Sequence, residues 1–156
     1  MLPPNDFRRL VIRPALEKLG LWSLVAQELL LGTALQESGL DALVQRGGGP
    51  ALGVYQIEPE THRDIWENYL HYHDGLMQAV IALTAPWPDR RLQLVTNLNY
   101  ATVIARLVYK RAPEPLPEVP DADLLGAYWK HVYNTDLGAG VAAEYADKYR
   151  RFAGTP

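Results

Sequence analysis

Apolar residues recur at three- and four-residue steps along most of the chain, the spacing of an α-helix that buries one face. Phe7, Leu10, Val11, Ala15 and Leu19 follow this rule behind an Asn5-Asp6 start, and Gly20 stops the run. Pro14 lies inside that segment and predicts a kink or a division into two short helices. Ser23 is the expected cap of a second helix over residues 24–36, with Leu24, Val25, Leu29, Leu31 and Leu35 spread around nearly its whole surface. A helix apolar on all sides belongs at the centre, covered by its neighbours, and Glu37 falls at its C-terminal end.

Residues 45–52 (QRGGGPAL) read as a loop, since three glycines and a proline cannot sustain a regular element. Pro59 suits the first turn of a helix reaching about residue 70, with Glu58 and Glu60 favourably placed near its N-terminus. Residues 76–84 form another apolar helix, ended by the Pro86-Trp87-Pro88 turn. Residues 90–110 read as one long helix or two consecutive ones, with Asn97 as an internal cap. The segment PEPLPEVP at 113–120 is a stiff connection rather than a domain boundary, because too little chain follows it to fold alone. Asp121 or Asp123 starts a helix running through residue 131, and Gly138-Ala139-Gly140 precedes a last helix to about residue 152. With no strand and no internal repeat, the expectation is an all-α single domain over residues 1–156.

Composition narrows the partners. A chain of 156 residues, 48% hydrophobic and 21% charged, is long enough to bury a sizeable core as one domain. Its net charge of −3 provides no global basic field, which argues against nucleic acid as a partner. There is no cysteine, hence no disulfide framework, and stability must come from the core. No apolar run approaches the ~20 residues of a membrane span. The N-terminal stretch MLPPNDFRRLVIRPALEKLG has neither an uninterrupted apolar core nor a small-residue cleavage site, so no signal peptide is expected.

The segment Ala34-Leu35-Gln36-Glu37-Ser38-Gly39-Leu40 carries the candidate chemistry. Ala34, Leu35 and Leu40 surround Glu37, no Lys or Arg lies within several residues along the chain, and the helix end directs its negative dipole there. Each feature disfavours the ionised form and raises the pKa, as a proton-donating carboxyl requires. After the glycine loop comes Gly53-Val54-Tyr55-Gln56-Ile57-Glu58-Pro59-Glu60-Thr61, and late in the chain Val132-Tyr133-Asn134. A Glu-Ser pair, a Gly-Leu-Met-Gln-type segment continuing to Ile, Pro and Thr, and an Ala-Tyr-Asn-type element, in that order, resemble the catalytic core of the soluble-lytic-transglycosylase and goose-type lysozyme group. Asn97 with Ala101, Ala105 and Tyr109 is similar to the Asn-led helix that separates the second and third of these motifs. The resemblance spans about residues 24–134, with Tyr55 where methionine is usual and Val132 where alanine is usual.

This resemblance implies a lysozyme-like helical fold with a glycan-binding groove. It also implies cleavage of the β-1,4 bond between N-acetylmuramic acid and N-acetylglucosamine in bacterial peptidoglycan strands. Glu37 is the implied catalytic residue: it first protonates the bridging oxygen, then as carboxylate takes the proton of the muramoyl 6-hydroxyl, closing a 1,6-anhydro ring. The implied substrate-binding residues are Ser38, Gly53, Tyr55, Gln56, Tyr133 and Asn134, with no metal and no cofactor. Ser38 would aim Glu37 or touch substrate, or else be a plain helix C-cap hydroxyl. Gly53 would admit the glycan close to backbone, or serve only the turn. Gln56 would offer donor and acceptor to an N-acetyl group. Tyr133 would place its hydroxyl near Glu37, or be a core aromatic at helical spacing from Trp129. Asn134 would fix backbone or sugar.

A hydrolase would need a second carboxylate, about 5 Å away for retention or ~6.5–9.5 Å for inversion. Asp41, Glu58, Glu60 and Asp136 are candidates by their proximity to the motifs, although helix electrostatics already accounts for Glu58 and Glu60. A wall-cutting enzyme without an export signal points to delivery in a phage virion or through host lysis, with virion or tail proteins as partners. The contrasting class is a peptidoglycan-binding or structural virion module without turnover. His71-Tyr72-His73-Asp74, with His62 upstream, reads as solvated histidines rather than a metal site, because positions i and i+2 do not share a helix face. Trp66, Trp87 and Trp129 suit core packing as well as sugar stacking, and Lys148, Arg150 and Arg151 read as an ordinary charged face.

Overall fold

The computed structural model describes residues 1–156 and is all-α, with no strand. The N-terminal run is helical from α1 (Pro4–Phe7) through a π-turn (Arg8–Ile12) into α2 (Arg13–Lys18). Pro14 lacks the N–H that would bond Leu10, and its ring crowds that carbonyl. The chain answers with one wide turn just ahead of the proline in place of a break. The run ends in a Schellman motif: Gly20, at φ +69°, donates to Glu17 O at 3.0 Å, and Leu21 donates to Leu16 O at 2.9 Å.

Helix α3 (Leu24–Ser38) is the central element, buried continuously from Ala26 to Leu35. Ser23 Oγ caps it by accepting the Ala26 N–H at 3.1 Å, and Gly39 ends it in the left-handed conformation at φ +64°. Around α3 pack α8 (Ala122–Trp129), α9 (Ala142–Phe152), α7 (Leu98–Lys110) and the N-terminal π-turn. The α3–α9 approach is so close at Gly32 that any Cβ there would overlap the ring of Tyr145. The remaining helices, α4 (Pro59–Asn68), α5 (Asp74–Ile81) and α6 (Gln93–Thr96), lie beyond α7, with a 3-10 turn over Leu70–Tyr72. None of the helices is long and apolar enough to cross a membrane.

Several boundaries follow from single side chains. Asn97 separates α6 from α7 and caps the latter, its Oδ1 accepting the Tyr100 N–H at 3.0 Å. Asp121 Oδ1 accepts from the N–H groups of Asp123 and Leu124, both at 3.0 Å. Helix α5 begins two residues earlier and ends three residues earlier than the apolar run indicates, because Asp74 occupies its first turn and Thr84 folds back onto Ile81 O. Beyond Trp129 the chain widens into a second π-turn, Lys130–Asn134, where an ordinary helix end was expected. The glycine-rich stretch holds two isolated antiparallel bridges, Val44 to Leu52 and Leu52 to Ile57, which fold residues 44–57 into a compact double turn.

One buried ion pair joins both chain ends to α3. Arg8 donates from Nε to Glu28 Oε1 at 2.7 Å and from Nη2 to Oε2 at 2.8 Å. Tyr149 of α9 and Gln27 complete the Glu28 carboxylate at 2.7 and 3.0 Å, while Arg8 reaches Ala153 O at 3.0 Å. Removing one partner of such a pair leaves an uncompensated charge inside the protein. Arg8→Met is therefore expected to lower the unfolding free energy by about 3–5 kcal/mol, measured by urea denaturation at pH 7.

Candidate active site

A groove of about 490 Å³ opens where the end of α3 meets the double turn and the second π-turn. Glu37, Gln56, Glu58, Thr61, Tyr133 and Asn134 contribute to its walls. Four of the seven residues expected at the site are thus brought together from three separate segments.

Glu37 is half-buried in that wall. The indole Nε1–H of Trp129 donates to its Oε1 at 2.9 Å, and no other protein group bonds the carboxyl. Burial pushes its pKa up to about 7 from an ordinary 4.5, against the opposing pull of the Trp129 hydrogen bond and the Lys148 charge. A group at that value is both a competent acid and a competent base near neutrality. Trp129 itself is buried and stacked on Tyr145 at 5.6 Å between ring centroids, so its N–H is held rigidly.

Lys148 corrects the expectation of a plain charged face on the last helix. Its Nζ donates to Gln36 O at 3.3 Å, placing a cation at the C-terminal end of α3, where the helix dipole favours one. Glu37 is free of cations along the chain but not in space. Neither Trp129 nor Lys148 stands in a motif; the one local signal is that Trp129 precedes Tyr133 by a single helical turn.

Three expected substrate contacts lie elsewhere. The Ser38 hydroxyl donates to Val54 O at 2.7 Å and accepts from the Leu40 N–H at 3.1 Å, so it pins the double turn to the helix end and does not aim Glu37. Gly53, at φ +72°, is required by protein and not by glycan, because a Cβ there would overlap the Leu94 carbonyl. Tyr55 is fully buried, its hydroxyl 3.0 Å from Thr102 Oγ1. A tyrosine ring that finds a polar partner inside the core has no reason to face water.

The others face the groove in defined states. Gln56 sits in the left-handed region at φ +48°, uncommon for a residue with a side chain, and its Nε2 donates to Gly53 O at 2.8 Å. Its Oε1 is left to accept. Tyr133 donates to Tyr55 O at 2.7 Å rather than to Glu37. Burial pushes this phenol well above the usual tyrosine range, and the nearby Glu37 charge adds to the effect. Asn134 Oδ1 accepts from Lys130 Nζ at 2.8 Å, and the same ammonium donates to Gly138 O at 2.8 Å, which fixes the loop beyond the π-turn.

Of the four acidic candidates only Glu58 reaches the groove. It is exposed and makes no side-chain capping bond on α4. Asp41 is paired with Arg46 at 2.6 Å, and Glu60 and Asp136 are exposed away from the groove. No group of three or more His, Cys, Asp or Glu side chains is arranged to hold a metal ion. His73 stacks on Tyr69 at 4.2 Å, whereas His62 is buried 2.6 Å from the Tyr100 hydroxyl. Comparison of the chain with protein-family models, with curated proteins and with solved structures finds no match.

The raised pKa has a thermodynamic sign. Below pH 4.5 Glu37 is protonated in both folded and unfolded chains; between 4.5 and about 7 the unfolded chain ionises first and stability falls. Above about 7 the loss is complete and constant. Glu37→Gln should therefore unfold with up to about 3 kcal/mol more free energy than wild type at pH 8, the gap closing towards pH 4. Parallel denaturant titrations at the two pH values check this. Trp129→Phe removes the donor that favours the carboxylate, so the Glu37 pKa should move upward in a carbon-13 carboxyl titration.

Proposed function

We propose that this protein is a lytic transglycosylase of the soluble-lytic-transglycosylase and goose-type lysozyme kind, with a lysozyme-like helical domain acting on bacterial peptidoglycan strands. The observation that carries the reading is the state of Glu37: one carboxyl in a groove, poised near neutrality, with Trp129 bonded only to Oε1. Oε2 is then the atom that bears the transferable proton. Protonation of the glycosidic oxygen breaks its bond to C1 of the muramoyl residue while the substrate's acetamido oxygen stabilises that carbon. The Glu37 carboxylate next takes the proton of the 6-hydroxyl, O6 closes on C1, and the acid is restored. Both steps use the same oxygen, which a carboxyl with pKa about 7 serves equally as donor and acceptor.

Gln56 Oε1 and Asn134 Nδ2 make no bond within the protein and are the groove atoms offered to the N-acetyl groups that flank the bond. Tyr133, held neutral by its burial, shapes the wall beside Glu37. Delivery to the wall by a phage virion or through host lysis belongs to the same proposal.

Glu58, which lines the same groove as Glu37, favours one second reading, a hydrolytic muramidase in which it activates the attacking water. Mass spectrometry of muropeptides released from purified sacculi separates the two. The expected products are lighter than reducing-end muropeptides by one water, at wild-type yield with Glu58→Gln and at least 1000-fold reduced with Glu37→Gln. Reducing-end products that vanish with Glu58→Gln would establish hydrolysis. Binding of sacculi without release by the wild type would leave a non-catalytic wall-binding module.

A further inference from the structure

Arg106 lies on α7, one turn before Lys110, and is almost wholly buried at 6% exposure. Its guanidinium makes no hydrogen bond to the protein, no carboxylate stands within ion-pair distance, and its Nε is sealed from solvent without a partner. The groups nearest in charge are the phenols of Tyr128, Tyr69 and Tyr109, and burial raises the pKa of each, so all three are neutral around it. Burial lowers the pKa of Arg106 too, yet a guanidinium stays cationic at any working pH. A buried, unpaired cation is costly, and proteins seldom keep one without use.

Arg106 lines a cavity of about 200 Å³, separated from the Glu37 groove by the stacked rings of Tyr109 and Tyr133. Lys110 adds a second cation at its edge, and Pro113, Pro115 and Leu116 supply the apolar part of a lining that is mostly polar. Glu114 also borders the cavity, but its Oε1 lies 3.1 Å from His131 Nε2. We propose that this cavity is a binding site for a small carboxylate carried on an apolar group, such as the C-terminal end of a short peptide, held by the Arg106 fork and Lys110. The two Nη groups, which unlike Nε are open to the cavity, match two carboxylate oxygens side by side, and the prolines and Leu116 match the methyl-bearing carbon behind them. Phosphate shares the anionic part of this chemistry but not the apolar part. The site is independent of any reaction at Glu37.

The test follows the Arg106 Nε–H resonance by nitrogen-15 NMR in the full chain during titration with N-acetylalanine and, separately, with inorganic phosphate. The expected result is a saturable shift with N-acetylalanine, half-complete on the order of 1 mM, and at least ten-fold weaker binding of phosphate. Lys110→Gln, at an exposed position, should weaken the N-acetylalanine response several-fold while leaving the fold intact. Arg106→Met should match or exceed wild-type thermal stability in anion-free buffer and lose the stabilisation that N-acetylalanine confers. An Arg106 resonance unmoved by N-acetylalanine would reject the site. Equal affinity for phosphate would reject the carboxylate. A large shift of the ligand-free resonance in Glu114→Gln would show that Glu114 is the internal partner, and would overturn the proposal.

Discussion

A negative charge buried in the second turn of the central helix constrains everything around it. Glu28 sits among leucines on α3, where an unmatched carboxylate would be intolerable, so the fold must bring a cation to it. Arg8 does so from the first helical run and at the same time takes the carbonyl of Ala153 near the other end of the chain. Tyr149 closes the last side from α9. The ion pair therefore fixes how α9 lies along α3. That orientation in turn carries Lys148 to the C-terminal end of the central helix and Tyr145 beneath Trp129. The electrostatics of the groove are thus decided nine residues away from Glu37.

Much of the fold was legible in the chain because its boundaries are set by local chemistry. Ser23, Asn97 and Asp121 cap the helices they precede, and Gly20 and Gly39 stop the runs they follow, each through bonds within a few residues. The π-turns were not legible. The first is a response to the missing N–H of Pro14, and the second merges a helix end into the groove wall; periodicity of apolar residues does not distinguish a wide turn from a normal one.

The site was legible in part, for a related reason. Glu37, Gln56, Tyr133 and Asn134 converge on one groove. Ser38, Gly53 and Tyr55 share the same sequence segments but serve the scaffold that presents those four. In the tight turn over residues 53–57, Val54, Tyr55 and Ile57 are buried, whereas Gln56, in the left-handed region at φ +48°, turns to the groove. Sequence order alone does not say which goes where. Trp129 and Lys148 were hidden for a different reason: their role depends on helix packing across 92 and 112 residues of separation from the α3 end.

The Trp129–Glu37 contact gives the protein an optical property as well as a chemical one. An indole whose N–H touches a titrating carboxyl changes its emission when that carboxyl gains or loses a proton. Stacking on Tyr145 holds the ring still, so the change would reflect protonation and not rotation. With Trp22, Trp66 and Trp87 each replaced by phenylalanine, the remaining emission would report the charge state of Glu37 without a label.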